Sequence, residues 1–170
     1  MIERYLPGKR LSKAGLAFLA VIGLASCSNI NPNPNYPKLI MSGNLPSGGT
    51  DIYELNSSCV QGSLPSGSVK LCVKHNNITG NSPGGDVNVT ETGDKISGNL
   101  SSGSMSIVVK SGSVEGYLPS GSFNISINDR AISGSLPAGN INLHISEHYR
   151  NIASQLDRLA LIAVLSNNGS

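Results

Sequence analysis

The chain has 170 residues, one domain's worth at roughly 100–200 residues per domain, with 4% aromatic residues, no Trp and 20 glycines. So few large side chains exclude an ordinary aromatic-rich core and favour a repetitive β architecture with small residues at its corners. The formal net charge is +2, but Arg4, Lys9, Arg10 and Lys13 precede Cys27, and from Cys27 onward eight basic residues face nine acidic ones, near −1. That balance lacks the basic stripe of a nucleic-acid-binding surface, so no nucleic-acid partner is expected.

The first predicted element is an export signal. Lys9, Arg10 and Lys13 make a basic stretch, and an apolar run follows from Ala14 to Ala25. That run has the length of a signal's apolar region and is too short for the ~20 residues of a comfortable membrane span. It ends in Leu24-Ala25-Ser26-Cys27. These residues resemble the bacterial lipoprotein signal, in which Leu and two small residues precede a Cys. The resemblance covers residues 1–27. It implies removal of residues 1–26, a diacylglyceryl group on the Cys27 sulfur, and a membrane partner reached through that lipid. It also implies a place in the bacterial cell envelope, at the outer membrane by the family's sorting tendency, since Ser28 follows the cysteine. The alternative is an ordinary secretory signal, or an uncleaved anchor in which Cys27 is incidental. The next stretch, residues 27–40, carries Pro32, Pro34 and Pro37 among asparagines. Proline disfavours helix and cannot donate to a β ladder, so a semi-extended tether is expected.

Residues 41–146 are dominated by self-similarity. Copies of Gly-x-Leu-Pro-Ser-Gly begin at Gly43, Gly62, Gly80, Gly98, Gly116 and Gly134, steps of 19 and then 18 residues. With the first Gly as position 1, position 8 holds Val69, Val87, Met105, Phe123 and Ile141. Position 10 holds Ile52, Leu71, Val89, Ile107, Ile125 and Leu143, and position 12 holds Val73, Val109, Ile127 and Ile145. This period of two predicts a strand with one buried face, leaving Lys70, Ser106, Asn124 and Asn142 in solvent. Turns are expected at His75-Asn76-Asn77, Thr92-Gly93-Asp94, Ser111-Gly112-Ser113 and Asn128-Asp129-Arg130, and at the Pro-Ser-Gly corner. The third copy departs, with Ser82 for Leu and Glu91 at an apolar position, which predicts a loose or bulged unit. Two all-β folds fit. In a short β-solenoid of about six 18-residue repeats each unit is one coil, and in an antiparallel β-meander each unit is a hairpin. Recurrence of the same residue type at the same position favours the solenoid, because stacking in rows demands it. The repeat resembles the adhesin-type β-solenoids of bacterial envelopes and, more distantly, bactofilins. The likeness rests on glycine spacing and apolar alternation across residues 43–145 and implies a fold more than a function.

Residues 147–165 break the period and predict a helix, with Ser146 as N-cap and Glu147 in the first turn. Ile152, Leu156, Leu159 and Ala163 fall on one stripe, which suits a cap over the open end of the last coil, or else a docking helix for a partner or membrane. Residues 166–170 read as a disordered tail.

His144-Ile145-Ser146-Glu147-His148 formally matches an inverted zinc-peptidase motif. That chemistry needs both histidines on one helical turn, and His144 lies in a strand pattern with no later Glu as third ligand. His144, Glu147 and His148 are therefore weak metal candidates, and neither metal nor cofactor is expected. Cys59 and Cys72 are candidates for a disulfide between adjacent units, the alternative being two free thiols. Pro83-Gly84-Gly85-Asp86 occurs once and reads as a turn rather than a calcium repeat. No phosphate-binding loop or nucleophile elbow is present. The expected function is a non-enzymatic, adhesin-like binding lipoprotein whose partner is an envelope protein or glycan. An accessory component of an envelope assembly or secretion system is the alternative, docked by its C-terminal helix. A carbohydrate-active β-helix enzyme ranks last, because the carboxylates are scattered over different repeat positions.

Overall fold

The computed structural model describes residues 37–147 and 154–169. The export signal, Cys27 and most of the tether lie outside them, as does His148. The described chain forms twelve antiparallel strands and one helix. The strands are β1 (Lys38–Leu45), β2 (Gly48–Asn56), β3 (Cys59–Leu64), β4 (Gly67–Lys74), β5 (Asn77–Ser82) and β6 (Gly85–Thr92). They continue as β7 (Lys95–Leu100), β8 (Gly103–Lys110), β9 (Ser113–Leu118), β10 (Gly121–Asn128), β11 (Ala131–Leu136) and β12 (Gly139–Ile145). Each pairs with its sequence neighbours, and β1 pairs with β12, so the sheet closes into a barrel.

This corrects the solenoid expectation. The fold is all-β, but each repeat is a hairpin rather than a coil. The physical reason lies in the turns. The strands are joined by two-residue reversals such as Pro65-Ser66 and His75-Asn76 at both ends. A two-residue loop can only return the chain antiparallel beside itself. The recurrence of residue types comes from rotation instead of stacking: six similar hairpins around one axis give equivalent positions equivalent surroundings. β1 starts at Lys38, inside the stretch read as tether.

The pleat then assigns the two faces. Ile107, Ile125 and Leu143 are 0–1% exposed, while Asn124 and Asn142 between such positions are exposed. The inside is apolar and the outside polar, the reverse of a lipid-embedded barrel with its outward apolar band.

Two features close the ring. On one rim, Val73 N–H donates to Ser58 O at 2.8 Å, with equivalents down to Ile145 N–H to Arg130 O at 2.7 Å. Ser146 N–H donates to Ile40 O at 2.8 Å and completes the circuit. On the other rim, each proline lies over the corner glycine of the preceding repeat. Pro46 of the first repeat lies over Gly139 of the last, where an added β-carbon would stand 3.1 Å from Pro46 Cβ.

The helix, α1 (Gln155–Leu165), fills the lumen. Its residues from Leu159 to Leu165 are 0–1% exposed on every side and belong to one apolar cluster with the inward side chains of the strands. Near its start Arg158 reaches Glu91 and Gly93 at one rim, and just past its end Asn167 meets Ser66 at the other. It leans on β1–β4. Twelve strands ~4.8 Å apart and tilted by about 40° make a ring of about 12 Å radius. A helix with side chains is about 10–12 Å across, which leaves about 6 Å, one layer of inward side chains. Neither the end cap nor the docking helix describes this placement. The N-cap is Ser154 rather than Ser146. The stretch read as a disordered tail continues as a 3-10 turn, Ser166–Gly169, with Ser166 and Asn167 buried.

Two outcomes follow. Ile125→Ala should cost about 2–5 kcal/mol in chemical denaturation, whereas Asn124→Ala on the outer face should stay within about 0.5 kcal/mol; equal effects would refute the facing. A chain stopped after Ser146 should lose its cooperative thermal transition and scatter light, because the inward faces of all twelve strands would line an unfilled lumen. An unchanged melting temperature without scattering would refute the helix as core.

Candidate functional site

With the lumen occupied by its own chain, the surfaces open to a ligand are the two rims and the outer wall. The rim where α1 begins carries the strongest charge cluster. Glu91, on β6, occupies a position that is apolar in most other repeats. Its carboxylate accepts from the Arg158 guanidinium, which also donates to Gly93 O at 3.2 Å and lies 3.9 Å from Asp94. The third repeat is therefore neither loose nor bulged at this point: its departure from the pattern is the socket for the helix's arginine. Ser82, the other departure, is buried and donates to Gly85 O at 3.1 Å. A cleft of about 320 Å³ lies beside the pair, lined by Asn76, Glu91, Gly93, Gln155 and Arg158.

Behind that cleft the helix starts with a capping pair. Ser154 Oγ accepts from Asp157 N–H at 3.2 Å and donates to Asp157 Oδ2 at 2.5 Å. The Ser154-x-x-Asp157 spacing is the start signal that reading Ser146 as N-cap passed over. Asp157 is fully buried, and Oδ1 has no partner among the described residues. Burial pushes the Asp157 carboxyl above its ordinary 3.8, against the opposing pull of the Ser154 hydrogen bond.

Of the sequence-predicted residues, the two cysteines are brought together. Cys59 and Cys72 face each other across β3 and β4 and form a disulfide, Cα–Cα 4.1 Å, on the outer wall. The bridge joins the two strands of one hairpin. His144 is exposed on the outside of β12, paired with Ser42 and Ala131. Glu147 accepts from Arg130 at 2.9 Å. Among the described residues no cluster of three His, Cys, Asp or Glu side chains could hold a metal.

The wall itself carries two grooves. One, of about 540 Å³, is lined by Tyr53, Gln61, Ser63 and Lys70 among others, around β3. The other, of about 370 Å³, surrounds Tyr117 on β9. The strands β3 and β9 are six places apart in a ring of twelve, so the grooves occupy opposite walls. Both lie over a position-1 glycine, Gly62 or Gly116. A β-carbon on Gly116 would stand 2.2 Å from Ser106 O, so the strands approach here as no other residue permits. Tyr117 is 68% exposed. Sequence reading overlooked it, although the signal was present. Position 2 is Asn44, Ser63, Asn81, Asn99 and Ser135 in the other repeats and aromatic only here.

No family model, curated protein or solved structure matches the chain.

The buried carboxyl yields a signed pH dependence. Its folded-state pKa is raised, so its contribution to stability is complete below the ordinary carboxylate value and is lost as pH rises through the raised one. Asp157→Asn should therefore melt higher than the parent at about pH 7 and alongside it at about pH 3. A variant that melts lower at about pH 7 would show that the ionised carboxylate, not its neutral form, suits the fold.

Proposed function

We propose that the chain is a non-enzymatic lipoprotein of the bacterial cell envelope, held at a membrane through Cys27, whose barrel binds an envelope protein or glycan by its outer wall. The observation that carries this reading is a barrel with a filled lumen and a polar wall. Such a body has no interior for a ligand and no lipid-facing band. An attached lipid would hold such a body at a membrane, and Leu24-Ala25-Ser26-Cys27 is an attachment the sequence offers. The Cys59–Cys72 disulfide supports an oxidising compartment outside the cytoplasm. Adhesin-like display needs a stable body with a variable surface, and the outward position 11 differs in every repeat, being Tyr53, Cys72, Thr90, Val108, Ser126 and His144. The assembly-component alternative assigned docking to the C-terminal helix. That helix is buried in the lumen, so such a component would have to dock by a rim or the wall.

The anchoring claim has a direct test. In a bacterium that lipidates proteins, Cys27→Ala should accumulate as a heavier, unprocessed precursor. The parent should yield a mature, detergent-extractable form. If the variant gives the same mature mass by intact-protein mass spectrometry and still partitions with membranes, the lipid anchor is refuted.

A further inference from the structure

We propose that the wall around Tyr117 is a binding site for a neutral saccharide. The inference rests on the outer-wall reading above and supplies its ligand class. It starts from a break in symmetry. Tyr117 stands in register between Ser106 of β8 and Ser122 of β10, both small, so its ring is walled in by neither neighbour. The fold does not require an aromatic there, because the equivalent positions hold only Asn or Ser. Leaving a ring 68% exposed forgoes the burial that normally accounts for a tyrosine.

The next row of the wall supplies the polar half. Glu115 lies in register between Val108 and Asn124. Its carboxylate accepts from Lys110 Nζ, so this corner of the groove is close to neutral. The groove around the ring is thus lined by two hydroxyls, an amide and a carboxylate, with Val108 among them. The hydroxyls and the amide can each donate and accept, and the carboxylate accepts. The groove's roughly 370 Å³ falls at the small end of ligand sites.

A pyranose matches this arrangement on both counts. It has one apolar face of C–H groups that can lie on the tyrosine ring, and a periphery of hydroxyls that each donate and accept. Other ligand classes fit less well. An anchoring tyrosine in a protein interface sits in a desolvated pocket ringed by groups that exclude water, whereas Tyr117 is itself exposed and its register neighbours are two serines. An anionic ligand would meet Glu115, and a cationic one would find that carboxylate already occupied by Lys110.

The experiment is isothermal titration of the full-length chain in detergent with three neutral probes: chitotetraose, maltotetraose and cellotetraose. The expected result is saturable binding of at least one of them. Tyr117→Ala and Asn124→Ala should each weaken it by about tenfold or more, while Tyr117→Phe, which keeps the ring, should stay within about threefold. Asn44→Ala, at the position equivalent to Tyr117 two repeats away around the ring, should bind as the parent does. Because Tyr117 is exposed, the variants should keep the parent's melting temperature, and a variant that does not is replaced by Tyr117→Ser. Binding of none of the probes, or binding that survives Tyr117→Ala, overturns the site. A probe whose binding is lost in Tyr53→Ala instead would overturn this site and leave the outer-wall reading standing. The anchoring claim is read separately, from the mass of the Cys27→Ala protein.

Discussion

The structure depends on one constraint of volume. A ring of twelve strands is too wide for its own inward side chains to meet across the middle, and water cannot fill a space walled by Ile, Leu and Val without losing the hydrophobic driving force. The C-terminal helix solves this by being apolar nearly all round, which on a surface would be a liability. Leu159, Leu161, Ile162 and Leu165 are buried on every side in one apolar cluster with the inward side chains of the strands, although the helix leans on β1–β4. Every other feature follows from that insertion. The polar wall is possible because no lipid or partner is needed to cover the apolar face. The chemistry moves to rims and wall because the interior is taken.

The helix also explains where the repeats stop being alike. A six-fold ring offers six equivalent places for an arginine at its rim, and one helix has one Arg158. The third repeat provides a glutamate that meets it, and Gly93 in the adjoining turn gives its carbonyl as well. At the far rim Ser66 meets Asn167. These contacts fix the rotation of the helix inside walls that would otherwise hold it at several angles with similar burial.

Much of this was legible in the sequence and some was not, for physical reasons. The inward and outward faces of β10 could be read from Phe123, Ile125 and Ile127 alone, since the pleat has a period of two whatever the topology. Whether those strands stack or encircle could not be read from residue identity, because translation and rotation both make repeats equivalent. The two-residue reversals at each strand end held the answer. The helix was visible as an apolar segment, but its partner was not. An amphipathic stripe through Ile152 and Leu156 suggested one contact face, whereas the lumen presents a surface in every direction. Glu91 looked like a flaw because its partner lies 67 residues away. Tyr117 is hidden in a consensus of the repeats, because position 2 is Asn or Ser in the other five.

The circuit from Pro46 to Gly139 has a consequence for how many repeats such a chain can hold. A ring of identical hairpins has no intrinsic count, and unequal crossing-over between near-identical gene segments readily adds or removes one. Here the helix acts as a gauge. Five hairpins would close at about 10 Å radius, crowding the inserted helix by about 2 Å all round, and seven would open to about 14 Å and leave a dry gap. Either change is penalised in packing before any ligand is met. The outer positions face no such gauge and are free to diverge one by one. A body of this kind would tolerate change on its wall more readily than a change in the number of its hairpins.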